Sequence, residues 1–480
     1  MGGDVTMTPE TRSVEVVEGR MPVRPSERTW GRFALFGSTT SAAVATWCFV
    51  GGGFAAYYLP GLPGMLALTA GTLIGVFFVV LAAVPASTRY GIEAVRSTRA
   101  TLGVRGSNIT LLIVLAIMVG WNSVLIVFLG NAASAALAEM GVMAPEISTP
   151  VSVAVSLIAL ALIILLLGRG PDSVRDLGPF IAIGILLFSV VIAVILIVNV
   201  GVQELFTAAP LAPYDEAGPN FATVIELGVA GGLSWWPYIG TLTRYSKSSR
   251  SALMPAVIGL GLMMSFVLCI GLLATLAVPE SEGDPTLFLI KVGGPVFGVI
   301  ALSFIVFANI GTVLVGIYVS ALALKQVPAI DKKISWRWST IIVAIPVALV
   351  VIFFAGLFLD YYQNFLAFVG VLLGPLCGVQ IADYYVIRKQ QLDLRGLYTQ
   401  DSKKTYWYTG GFNIAGLIAL VAGMAVYILL LDPISYLPKA GFEILTASLP
   451  AIVTGGIVYL ILMKLSYARQ SHSLRSTEKE

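Results

Sequence analysis

Charge is what this chain has least of. Of its 480 residues only 11% are Asp, Glu, Lys or Arg, while 57% are hydrophobic. A soluble domain carries roughly 25% charged residues, so water is excluded as the main solvent of the fold. Histidine is almost missing: His472, in a polar C-terminal stretch, is the one copy. Its scarcity excludes histidine-based catalysis and most transition-metal sites. Cys48, Cys269 and Cys377 all lie inside apolar runs, form neither a disulfide framework nor a zinc spacing, and read as small core residues. A Gly-rich loop ending in Lys-Ser/Thr is absent, which excludes a nucleotide-driven pump. There is no filter-like repeat, ring of charges or pair of carboxylates inside an apolar run, so a channel or membrane-embedded enzyme is a poor reading. The net charge of +3 gives no basis for a nucleic-acid partner. Residues 1–32 are polar, carry five arginines and contain no cleavable leader pattern.

What the chain does have is apolar length. A bilayer core of about 30 Å needs about 20 apolar residues per helix. Runs of that length predict twelve spans, near 33–58, 63–87, 108–138, 149–168, 178–200, 222–242, 252–277, 294–324, 339–359, 362–387, 412–431 and 446–466. The fold class is therefore an all-α polytopic membrane protein with the lipid bilayer as partner. Its expected divisions are a mobile tail 1–32, five spans over 33–200, five over 222–387, two more over 412–466, and a mobile tail 467–480. With the N-terminus inside, 27 of the 29 lysines and arginines fall on the cytoplasmic side, leaving Lys291 and Lys439 outside. Basic residues concentrate on the cytoplasmic side of membranes, so both termini are expected in the cytoplasm and the chain in a cell (inner or plasma) membrane.

Transporters mark their binding sites with Gly- or Pro-interrupted helices at corresponding places in two repeats. The first span contains Ser38-Thr39-Thr40-Ser41 and, toward its outer end, Gly51-Gly52-Gly53. The sixth contains Gly228, Gly231-Gly232 and Trp235-Trp236-Pro237. These are the first helices of two five-helix halves if the repeat is 1–5 and 6–10. Close helix packing is the other reading of the glycines.

Ionisable groups at depth are rare and expensive. Glu226, early in the sixth span, reads either as a proton carrier or ligand acceptor, or as an interface residue in a wet vestibule. Trp121-Asn122 sits midway through the third span; an Asn there must find a partner on another helix or on a ligand. Trp121 with Trp235 and Trp236 could form two faces between which a flat ring stacks, at about 0.5–1.5 kcal/mol beyond burial. In the eighth span, Ala308-Asn309-Ile310-Gly311-Thr312 offers a hydroxyl, an amide and loosened backbone. Hard cations take oxygen ligands, although a Thr bonded to its own helix carbonyl is the plainer reading.

Together these residues resemble the nucleobase–cation symporter-1 family, the transporters of cytosine, purines, uracil, allantoin and hydantoin. The most specific stretch is 374–398, GPLCGVQIADYYVIRKQQLDLRGLY, followed by Tyr406-Trp407; a second is 90–107, YGIEAVRSTRATLGVRGS. The stretch 226–245, ELGVAGGLSWWPYIGTLTRY, is similar to the branch that takes up hydroxymethylpyrimidine, but Thr241-Leu242 stands where that branch has Asp-Tyr. The resemblance implies a LeuT-type architecture, two inverted five-helix repeats plus two peripheral helices, with a ligand held between helices 1, 3, 6 and 8. It implies that Trp121 is the substrate-stacking tryptophan; with it, Asn122, Glu226, Gly231, Trp235 and Trp236 are the ligand residues expected from their depth and from the interrupted sixth span. It puts Leu125 where the hydantoin transporter has a ligand-binding Gln, and Ile317 where the family has a substrate Asn. It assigns a sodium site to Ser41, Val44, Ala308, Gly311 and Thr312, with one hydroxyl lost at Gly311. Glu226 is the alternative, as a proton site.

The expected function is a secondary active symporter, not an enzyme, importing a small planar nitrogen heterocycle with Na+ or H+ as coupling ion and no other cofactor. The same fold carrying an amino acid, a vitamin amine or a compatible solute is the alternative. Both a monomer and a homo-oligomer are open.

Overall fold

The computed structural model describes residues 19–169, 172–281, 283–357 and 361–477. Residues 1–18 of the N-terminal tail, 478–480 and the side chain of His472 lie outside the described residues. Long apolar runs become helices because lipid cannot satisfy a bare backbone. In chain order these are α1 (Arg32–Ala43), α2 (Thr46–Ala55), α3 (Gly61–Tyr90) and α4 (Ser107–Glu139). Then come α5 (Ser148–Leu166), α6 (Asp172–Val200), α7 (Ala217–Leu233) and α8 (Trp236–Thr243). The remainder are α9 (Ser249–Ala277), α10 (Pro285–Leu324), α11 (Trp336–Phe353), α12 (Tyr362–Ile387), α13 (Ile414–Leu430) and α14 (Ser448–Thr477).

Among the described residues nine single helices are long and apolar enough to cross a membrane, and α1 with α2 makes a tenth as a bent pair. The other two expected spans are shorter: α7 with α8, in two pieces, and the 17 residues of α13, about 25 Å at 1.5 Å per residue. Helix α10 starts before the expected span but kinks at Gly294, whose φ of 77° leaves the helical region just before Pro295, so its membrane-crossing part begins where the apolar run begins.

Glycine sets the close approach of α3 and α7. Gly71 and Gly75 on α3 face Ile225 and Val229 of α7, while Gly228 and Gly232 of α7 face Leu68, Thr72 and Val76 of α3. Small residues four apart let two backbones touch, and in membranes that approach replaces the hydrophobic drive. The triplet in the first span serves the same end: a Cβ on Gly52 would run into the backbone of Leu268 on α9.

Neither tail ends where expected. Helix α14 continues from the last span through Thr477, and residues 19–31 pack as a strap across the basic end of the bundle. Val23 N–H donates to the Gly91 carbonyl at 2.9 Å, Trp30 N–H to the Tyr245 carbonyl at 3.1 Å, and Arg20 pairs with Asp331 at 2.8 Å. Arg28 donates to the Thr88 and Arg89 carbonyls, filling acceptors that the last turn of α3 leaves open. The Trp30 ring stacks on Tyr245, centroids 5.3 Å apart. Beneath it, buried Arg244 donates to the hydroxyls of Tyr245 (2.7 Å) and Tyr318 on α10 (3.0 Å).

Candidate functional site

The first span breaks at Val44–Ala45, and α1 and α2 meet at 59°. Neither Gly nor Pro marks the spot; both residues are extended, with ψ of 99° and −176°. A break inside lipid strands carbonyls on one side and N–H groups on the other. Helix α10 takes up both. The Asn309 Oδ1 accepts from Thr46 N–H at 3.2 Å and from the Thr46 hydroxyl at 2.9 Å, and the Thr312 hydroxyl donates to the Ser41 carbonyl at 3.1 Å. Residues three apart share a helix face, so one face of α10 holds both ends of the break.

The sixth span is interrupted far less than expected. Ser234 and Trp235 keep right-handed helical angles (φ −59° and −80°), and Trp235 N–H donates to the Gly232 carbonyl at 3.3 Å in a tightened turn. The reason is positional: Pro237 stands in the first turn of α8, where a missing N–H costs little. Gly231-Gly232 remain within α7.

Between the break and this turn lies a cavity lined by Trp47, Trp121, Leu125, Ser234, Trp235, Tyr238 and Thr312, with a volume of about 10 Å³. Small-molecule sites usually enclose about 300–1,000 Å³, so its walls are drawn together. Trp47 meets Trp121 edge to face with centroids 5.0 Å apart and Trp235 at 6.2 Å. Trp235 in turn lies 4.8 Å from Tyr238, and Trp121 is backed by Phe365 at 5.1 Å. Polar atoms are few. The Ser234 hydroxyl is taken by the Gly231 carbonyl at 2.6 Å and the Trp235 indole N–H by Met264 Sδ at 3.2 Å. The Trp121 Nε1 is buried and has no partner.

Of the ligand residues named from sequence, Trp121, Leu125 and Trp235 line this cavity. Gly231 stands behind it, where a Cβ would sit 4.0 Å from the Trp47 ring. Trp236 turns away, donating to Gln380 Oε1 at 2.6 Å, and Gln380 reaches Ser97 at 2.9 Å. Residues adjacent on a helix point about 100° apart, so only one of the tryptophan pair can face the site, and it is Trp235. Asn122 packs its amide against Gly316 of α10, and Ile317 is buried without lining the cavity.

Glu226 is also elsewhere. Its carboxylate accepts the Ala447 and Ser448 N–H groups at 3.0 Å each and the Ser448 hydroxyl at 2.6 Å. It thus caps α14, where a negative charge meets the positive end of a helix. Those donors are more than 200 residues away in sequence, which is why a reading of the sixth span alone puts it near the ligand.

For the cation residues, the Thr312 hydroxyl stands 3.1 Å from the Ser41 carbonyl and 3.5 Å from that of Ala308. Val44 lies at the break itself. Gly311 offers no side chain; a Cβ there would meet Ile181 of α6 at 3.0 Å. Among the described residues no group of three or more His, Cys, Asp or Glu side chains could hold a metal ion. Sequence reasoning missed Trp47, Ser234 and Tyr238, because single aromatics or hydroxyls in an apolar run carry no local mark.

The model for permeases for cytosine/purines, uracil, thiamine and allantoin matches residues 22–447. The purine-uracil permease NCS1 of Arabidopsis thaliana is 24% identical to this chain over 487 residues, 94% of this chain and 78% of that protein. Among solved structures, Mhp1, a nucleobase-cation-symport-1 family transporter in a closed conformation with bromovinylhydantoin bound, is similar with a TM-score of 0.78. It is 18% identical, over 93% of this chain and 95% of Mhp1. A Na+-coupled sialic acid symporter in a substrate-bound outward-open state has a TM-score of 0.61 at 13% identity, over 94% of this chain and 95% of its own. These likenesses show the LeuT-type fold. Because the family match runs from the strap through α13, the chain belongs to the permeases for cytosine/purines, uracil, thiamine and allantoin.

Proposed function

We propose that this protein is a secondary active symporter that imports a small planar nitrogen heterocycle, by alternating access around the aromatic cavity. The observation that carries this reading is Trp121, whose buried Nε1 is unpaired and which lines a cavity with Trp47, Trp235 and Tyr238. A flat ring stacks on such faces, and an acceptor on its edge satisfies a donor that is otherwise costly to bury. With a volume of about 10 Å³, the cavity must widen for a ligand, which parts Trp47 from Trp121. Na+ as coupling ion would be held at the Ser41 and Ala308 carbonyls, the Thr312 hydroxyl and the break at Val44; H+ in its place would be carried by Glu226. The strap and the basic loops face the cytoplasm.

Full-length protein in liposomes should accumulate cytosine, uracil, a purine, hydantoin, allantoin, hydroxymethylpyrimidine or thiamine under an imposed sodium or proton gradient. No uptake and no binding across that panel would end this reading. One observation favours a second one, a vitamin amine or compatible solute in the same cavity. Leu125 offers no amide, the lining contains no carboxylate, and rings without a counter-charge suit an amine cation. Tryptophan quenching by glycine betaine but by no heterocycle would select it.

A further inference from the structure

A second concavity lies on the outside of the bundle, at the basic end, between the first turns of α1 and α9. Arg32 and Arg250 flank it, Phe33, Phe36, Met254 and Ile258 line it, and its volume is about 500 Å³. Arg250, Met254 and Ile258 are four residues apart and so form one stripe of α9. The trough is open on both helices: Phe33 of α1 is 65% and Met254 of α9 68% exposed. Both helices begin here, so the arginines stand where the chain enters the bilayer and the apolar trough runs inward below them.

Most of the arginines packed at this end are engaged. Arg20 pairs with Asp331, Arg388 with Asp383, and Arg28, Arg96 and Arg244 all donate to protein oxygens. Among the described residues, Arg32 and Arg250 have neither an ion pair nor a hydrogen bond. Two cations beside each other without a counter-ion repel, and a guanidinium matches a phosphate with two parallel donors. An apolar trough alone would take any acyl chain. Two unpaired guanidinium groups at its head select for charge.

We propose that this groove binds one phospholipid with an anionic headgroup, its phosphate between Arg32 and Arg250 and an acyl chain along Phe33, Phe36, Met254 and Ile258. Basic pockets between helices at the membrane surface recognise anionic lipids on these terms. The chain rests on a joint of the transport machinery. Pro255, at the foot of the trough, keeps its carbonyl 3.3 Å from the Thr39 hydroxyl of α1, and a π-helical stretch, Val257–Met263, follows directly. The lipid thus braces the inner half of the broken span against α9.

Each basic residue near an anionic headgroup is worth about fivefold in affinity, about thirtyfold for the pair. Native mass spectrometry of the full-length protein in detergent, titrated with dioleoyl phosphatidylglycerol or dioleoyl phosphatidylcholine, reads this directly. We expect one phosphatidylglycerol to bind about thirtyfold more tightly than phosphatidylcholine. Arg32→Gln and Arg250→Gln should each remove about fivefold and together abolish the preference. Arg32→Lys with Arg250→Lys should keep most of it, and Phe33→Ser with Met254→Ser should weaken both lipids alike. A double Gln variant that still prefers phosphatidylglycerol overturns the proposal. So does displacement of the lipid by inorganic phosphate at equal concentration, which would make the site one for a free ion. If the Gln variants cannot be recovered folded, the Lys pair and the Ser pair decide by the same ratio.

Discussion

Replacing Asn309 with leucine asks what holds the Trp47 wall in place. Leucine matches the size of the amide and removes the acceptor that Thr46 N–H (3.2 Å) and Thr46 Oγ1 (2.9 Å) share. The hydroxyl can turn to a carbonyl of its own chain. The N–H cannot, because Ala45 precedes it as a cap with no side-chain acceptor. Losing a helix cap costs about 0.5–2 kcal/mol, and a buried unpaired donor about 1–3 kcal/mol. Thr46 is only 1% exposed, so the burial penalty governs. The strain is relieved if α2 tilts from α10, which carries Trp47 with it. Restoring that wall for a ligand then costs about 1–3 kcal/mol, or about 5- to 150-fold in affinity. Tryptophan-fluorescence titration with uracil, cytosine and allantoin should show at least about a fivefold loss in Asn309→Leu. Acrylamide quenching without ligand, taken as a difference against the same variants carrying Trp47→Phe, should show Trp47 more accessible. Asn309→Asp keeps the acceptor and should stay within threefold of wild type. A leucine variant binding within twofold, with Trp47 quenched as in wild type, refutes the reasoning. An aspartate variant as impaired as leucine does so too.

Other changes test other contacts. Trp121→Ala removes a ring packed on Trp47 and Phe365 and should lower ligand affinity at least tenfold in a protein that still elutes as one species; unchanged affinity would remove Trp121 from the site. Glu226→Gln replaces a charged cap of α14 by a neutral one. Charge-assisted hydrogen bonds are about twice as strong as neutral ones, so the thermal midpoint should drop while the pH profile of uptake stays put; a shifted pH profile would make Glu226 the proton site after all. Gly232→Ala puts a Cβ 2.7 Å from Val76 N and 2.8 Å from Gly75 Cα, and should collapse the yield of folded protein. A normal chromatographic profile would mean that α3 and α7 part easily.

The spans were legible because the bilayer imposes a length on every apolar run, and the kink at Gly294 falls at the start of one. The hydroxyls and glycines of the first span pointed to an unusual helix but not to its break. Val44-Ala45 is an ordinary pair, and what opens it is supplied from α10, more than 260 residues on. Pro237 misled in the other direction, since a proline in a first turn leaves the helix nearly whole. Trp121 and Trp235 were found as aromatics at depth; Trp47 was passed over as one more apolar residue. The direction that each indole faces is decided by packing, not by its neighbours in sequence.

The strap has a consequence for the basic end that it covers. Trp30 lies on Tyr245 while Arg244 donates to Tyr245 and Tyr318, so Tyr245 is shared between the strap and the bundle beneath it. Lifting the strap bares that ring and lets water reach the Arg244 bonds, and water weakens such polar contacts.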